Sequence, residues 1–159
     1  MRTLLLFALL GFSVSAFGQK APTDGLKVNG VGLGAAYKSV IAKFGKAIKE
    51  KIQKGDECVP DRRKILTYPG LTFELIENDN KNFTVVSFEV TSAKYDVSGV
   101  KVGETPLAVS RRFGKRTMED TIDGQKVWYY EMTPDMPGNS NFYFRGGKIT
   151  KIQSGYEMC

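Results

Sequence analysis

The chain contains no histidine. Histidine is the one side chain that ordinarily changes charge between pH 5 and 8, and it is the commonest general base and metal ligand. Its absence excludes Ser-His and Cys-His nucleophile pairs and most zinc sites. Cysteine is nearly absent: Cys58 and Cys159 alone are too few for a four-ligand structural site. Beyond the first 18 residues no apolar run approaches the ~18 residues of a spanning helix, so no transmembrane segment is expected. The oxygen-rich stretch Glu77-Asn78-Asp79-Asn80 lacks the spacing and the closing bidentate Glu of a calcium loop, and reads as a hairpin turn. Gly30-x-Gly32-x-Gly34 lacks the preceding hydrophobic strand of a dinucleotide-binding loop, and reads as a structural turn. No cofactor, metal or nucleic acid is implied.

What is present begins with an address. Arg2 precedes the apolar run Leu4–Phe12, and Ala16 and Gly18 stand at −3 and −1 of a cut before Gln19. Residues 1–18 therefore read as a signal peptide, with a second cut after Ala16 available. Export, to the periplasm or the exterior, makes the even cysteine count readable as a Cys58–Cys159 disulfide. Such a bridge would close a loop of about 100 residues and stabilise the fold by roughly 4–5 kcal/mol; two unpaired or intermolecular thiols are the alternative. The net charge of +6 is dispersed, which reads as a solvated basic surface with at most weak attraction to anionic surfaces.

After a polar lead-in over residues 19–27, the chain repeats itself. Gly30–Lys46 and Gly99–Lys115 lie 69 residues apart and share seven of 17 positions, among them Gly34/Gly103, Val40/Val109, Phe44/Phe113 and Gly45/Gly114. A fixed period of this size means one supersecondary unit built twice. In the first copy Tyr37, Val40, Ile41 and Phe44 recur at helical spacing and Gly45 stops the helix. In the second, Thr105 can cap, Pro106 suits the first turn, and Val109 and Phe113 give the stripe.

Strand signals follow each helix. They cover Lys64–Tyr68, Leu71–Glu77 and Phe83–Thr91, then Gln125–Thr133, Asn141–Arg145 and Lys148–Ser154. The expected fold is α+β: two tandem α-β-β-β repeats, 28–91 and 98–159, joined by Tyr95–Ser98. They form one compact domain with an antiparallel sheet and helices on one face. The expected buried face holds Leu71, Phe73, Leu75, Val86, Phe88, Phe142 and Phe144, with Phe44 and Phe113 from the helices.

The turn, the V-x-x-x-F-G-K helix and the meandering strands, duplicated in an exported chain, resemble the beta-lactamase-inhibitor-like tandem-repeat fold. Small lipoproteins of outer-membrane assembly share the unit. The resemblance rests on Gly34, Val40, Phe44 and Gly45 and on Gly103, Val109, Phe113 and Gly114. These are packing and turn positions, so it implies fold and not partner. The family's Gly-Met-Ser/Thr at the helix start is Gly34-Ala35-Ala36 and Gly103-Glu104-Thr105 here. One cysteine per repeat replaces a disulfide within each. Inhibition of a beta-lactamase is therefore not implied.

The aromatic cluster Trp128, Tyr129, Tyr130, Phe142, Tyr143, Phe144 and Tyr156 is the strongest functional signal. Strand alternation divides it between two faces. If Phe142 and Phe144 face the helices, Tyr143 and Arg145 face outward, joined by Tyr129 or by Trp128 and Tyr130. Exposed aromatics beside an Arg have the composition of a protein-binding surface; a core role for most of them, or glycan stacking, is the alternative. The expectation is an exported, non-catalytic module that docks a protein on an open sheet face through Tyr129, Tyr143 and Arg145. The alternatives are an envelope structural accessory, and a hydrolase using loop carboxylates such as Asp120 and Asp123.

Overall fold

Two short helices carry the apolar stripes that the sequence predicts. Helix α1 (Tyr37–Phe44) buries Val40, with Tyr37, Ile41 and Phe44 packed against the core. Helix α2 (Pro106–Phe113) buries Val109 and Phe113. Each ends on a glycine at φ +75°, Gly45 and Gly114, a left-handed conformation that favours glycine. The two glycine N–H groups donate to Ile41 O and Ser110 O, both at 2.9 Å. Thr105 holds the cap position of α2, but its side chain makes no capping hydrogen bond. The fixed φ of Pro106 starts this helix instead.

The structure, a computed structural model, describes residues 25–133, 135 and 137–158. The expected signal peptide, residues 19–24 of the expected lead-in, and Cys159 lie outside them. The packed chain begins earlier than the expected boundary at residue 28, because Leu26 is buried and its N–H reaches Ser154 Oγ at 3.3 Å.

Each helix is followed by four strands and not the expected three. After α1 come β3 (Lys49–Gln53), β4 (Arg63–Tyr68), β5 (Leu71–Glu77) and β6 (Phe83–Val90). After α2 come β7 (Met118–Ile122), β8 (Gln125–Glu131), β9 (Gly138–Arg145) and β10 (Lys148–Tyr156). The strands missed from sequence are β3 and β7, KEKIQ and MEDTI, exposed almost throughout. An edge strand buried on neither face shows no apolar alternation to read. Asp120, expected in a loop, thus lies on β7, and Asp123 falls just beyond its end.

All eight strands form one antiparallel sheet in the order β3-β4-β5-β6-β10-β9-β8-β7. Two meanders meet where β6 pairs with β10, Phe88 opposite Ser154 and Val90 opposite Ile152. Helices and sheet share one continuous core, drawing Leu66, Phe73 and Phe88 from one half and Trp128, Phe142 and Ile152 from the other. One expected core residue moves. A bulge between Glu74 and Leu75 shifts the β5–β6 register, so Val85, and not Val86, lies opposite Leu75 and joins the core cluster. Val86 is buried away from that cluster, beside Val59 and Ile76.

The glycine-rich segment makes a hairpin of β1 (Lys27–Val28) and β2 (Val31–Gly32) turning at Asn29-Gly30. Val28 bridges Val97 of the joint between the halves, and both side chains are fully buried. Asn29 N–H donates to Asp96 O and Ser98 N–H to Lys27 O, which ties the hairpin to the joint. Among the described residues no helix is long and apolar enough to cross a membrane.

Candidate functional site: the helix-free face of the sheet

In the six inner strands alternation puts most of the large apolar residues under the helices and most of the polar ones on the opposite face. Across the sheet that opposite face reads, along one row, Ile65, Glu74, Ser87, Gly155 and Asn139. A second row reads Thr67, Thr72, Glu89, Gln153, Asn141 and Tyr129. Where they meet lies a groove of about 510 Å³. Its floor is low because β6 and β10 present Ser87 and Gly155 there. A Cβ on Gly155 would stand 2.9 Å from Ser87 Cβ, closer than two side chains tolerate.

The groove walls are polar and already partly bonded. Ser87 Oγ donates to Glu74 Oε2 at 3.3 Å. Gln153 Nε2 donates to Glu89 Oε2 at 2.8 Å. Arg63 and Lys151 approach Glu74 and Glu89 at 3.4 and 3.5 Å. Asn141 Oδ1 is buried without a hydrogen-bond partner.

Beside the groove lie two of the three residues singled out from sequence. Tyr129 on β8 and Tyr143 on β9 occupy diagonal positions, Tyr129 opposite Asn141 and Tyr143 opposite Val127. Both are partly buried. Burial raises the pKa of each phenol, with Tyr143 adding to the shift at Tyr129, so both are neutral, hydrogen-bonding phenols near pH 7. Lys151 Nζ sits 4.0 Å from the Tyr143 ring centroid, a cation–π contact. Arg145 lies two residues further along β9, exposed and opposite Lys148. Trp128 and Tyr130 face the helices. Val127 is fully buried yet stands outside the main core cluster, so the aromatic end of the open face has a small apolar base of its own.

No protein-family model and no curated protein sequence matches the chain. Solved structures do resemble it. An extracellular protein containing a SCP domain from Bacillus anthracis is 12% identical with a TM-score of 0.48. That alignment covers 77% of this chain and 43% of the other. A DUF4309 family protein from Bacillus subtilis is 13% identical with a TM-score of 0.43, covering 89% and 90% of the two chains.

Sequence reasoning missed the groove itself. Glu74, Ser87, Glu89, Asn141 and Gln153 are the polar partners in strands read for their apolar positions, and only the pairing of β6 with β10 gathers them. The carboxylates named for a hydrolase are not gathered. Asp120 lies on the edge strand, where its Oδ1 accepts from Thr121 N–H at 2.7 Å. Asp123 turns the β7–β8 hairpin at φ +48°. Neither lines the groove. Among the described residues no group of three or more metal-ligating side chains comes together.

Cys58 sits in the loop between β3 and β4, its N–H donating to Asp56 Oδ1 at 3.1 Å. It lines a second cavity of about 350 Å³ with Val59, Pro60 and the C-terminal residues Tyr156, Glu157 and Met158.

Proposed function

We propose that this chain is an exported, non-catalytic binding module, built by duplication of a helix-plus-strands unit, which docks a protein partner on the helix-free sheet face. The observation that carries this reading is an asymmetry between the two faces. Under the helices the row Leu66, Phe73, Phe88 of one half corresponds to Trp128, Phe142, Ile152 of the other. Both rows are large, apolar and buried. Tyr68 Oη donates to Gly45 O at 3.0 Å, and Tyr130 Oη to Gly114 O at 3.1 Å. Edge ion pairs correspond too, Glu50–Lys64 and Glu119–Lys126, both 2.8 Å. On the open face the corresponding rows have parted. Ile65, Glu74, Ser87 answer to Val127, Tyr143, Lys151, and Thr67, Thr72, Glu89 answer to Tyr129, Asn141, Gln153. Packing explains why the helix side stays alike in both halves. It places no such demand on the open side, where the two halves supply different chemistry to one surface.

The aromatic end supplies anchors of the kind that dominate protein interfaces, and dispersed cations such as Lys151 and Arg145 would raise the encounter rate with an acidic partner. The Cys58–Cys159 bridge belongs to the same proposal. It is supported by the disulfide-bonded state of Cys58 and by the C-terminal residues beside it. The beta-lactamase-inhibitor-like resemblance is supported by the two helices on one face of an antiparallel sheet.

The test is partner capture from the native host with Tyr129→Ala, Tyr143→Ala and Arg145→Ala, and with Leu107→Ala, at an exposed position of helix α2, as a control. At least one open-face substitution should weaken capture about tenfold or more while the control does not. Undiminished capture by all three variants would remove the proposal.

A further inference from the structure

We propose that the groove at the centre of the open face receives an arginine side chain projected by the docked protein. This deepens the docking reading and rests on it. The first argument is charge. The groove is lined by Glu74, Glu89 and Glu157 and by no cationic side chain, on a chain whose net charge is +6. Arg63 and Lys151 pair with Glu74 and Glu89 from outside the lining, so Glu157 carries the surplus negative charge that would draw a cation into the concavity.

The second argument is hydrogen-bonding capacity. Two of the donors that line the groove are spent, Ser87 Oγ on Glu74 and Gln153 Nε2 on Glu89. The carboxylates keep further lone pairs, which Arg63 and Lys151 touch only at 3.4 and 3.5 Å, and Asn141 Oδ1 is buried without a partner. A guanidinium is donor-only, with five N–H groups in a planar fork that matches carboxylates. The third argument is shape. The low floor at Ser87 and Gly155 leaves about 510 Å³, room for one long side chain, and the Tyr143 ring beside it already holds a cation on its face.

The experiment titrates the ¹⁵N-labelled protein with N-acetyl-arginine amide and with its neutral isostere N-acetyl-citrulline amide. The arginine probe should shift the backbone amides of Ser87, Asn141 and Gly155, and the citrulline probe should bind about tenfold more weakly. Glu74→Gln with Glu89→Gln should abolish the shifts. If that double variant is destabilised in a thermal melt, Glu157→Gln, at an exposed position, should weaken binding alone. Equal binding of both probes, shifts away from the groove, or shifts that survive every carboxamide variant would overturn the inference. If the probe is ignored while Tyr143→Ala still loses the partner, this inference falls and the docking reading stands. If the probe behaves as expected while partner capture ignores all three open-face substitutions, the groove stands and the docking reading falls.

Discussion

Glu50 and Glu119 show what a single ionised residue does on this scaffold. Glu50 accepts from Lys64 Nζ at 2.8 Å and from Tyr37 Oη at 3.0 Å. The Lys64 hydrogen bond, the largest influence, holds its carboxyl below the ordinary range. Glu119 is lowered chiefly by Lys126, with help from Trp128 Nε1, which donates at 2.8 Å. A depressed folded pKa means that the unfolded chain holds the proton more tightly. These contacts therefore stabilise the fold above the ordinary carboxylate range and fade as pH falls through the lowered values. Thermal melts should show Tm dropping below about pH 5, and the double substitution Glu50→Gln with Glu119→Gln should flatten that drop. A different residue tests the core. Tyr130→Phe removes the donor to Gly114 O, leaving a part-buried carbonyl unpaired, and should cost about 1–2 kcal/mol in denaturant unfolding.

At the scale of elements, the legible ones were those with a buried face. The stripe Val40–Ile41–Phe44, the stops at Gly45 and Gly114, and the alternation of Leu71, Phe73 and Leu75 fix a helix or strand by local pattern. Alternation sets Phe142 and Phe144 on the face opposite Tyr143 and Arg145, and the structure turns the two phenylalanines into the core. Strands β3 and β7 left no pattern because water covers them. Val86 was misplaced because one extra residue in β6 changes which neighbour faces the core, and no local signal announces a bulge. The groove was illegible for a third reason: its two walls are joined by contacts such as Gln153 with Glu89, 64 residues apart. Gly155 makes the pairing testable. Gly155→Val would drive a side chain into Ser87, fill the groove floor, and lower Tm along with any groove ligand's affinity.

For the whole molecule, one eight-stranded sheet and one continuous core imply one unfolding unit. Phe73 and Phe142 are both fully buried, one in each half. Phe73→Ala and Phe142→Ala should each cost about 3–5 kcal/mol and shift a single cooperative transition. Two separate transitions in calorimetry would show that the halves fold independently. Cys58→Ser should lower Tm under oxidising conditions, by as much as about 4–5 kcal/mol in stability for a closed loop of about 100 residues.

The pairing of β6 with β10 has a consequence for biosynthesis. The first half leaves the ribosome with β6 finished on one side only, a segment rich in valine and phenylalanine whose other neighbour, β10, is made only after β7, β8 and β9. Until β10 arrives, that row of amides and carbonyls is a template for any passing strand. Release of chains ended at Gly147 should therefore give aggregates, detectable by light scattering, where the full chain remains monodisperse. A chaperone that holds the chain extended until β10 emerges would spare the cell this hazard.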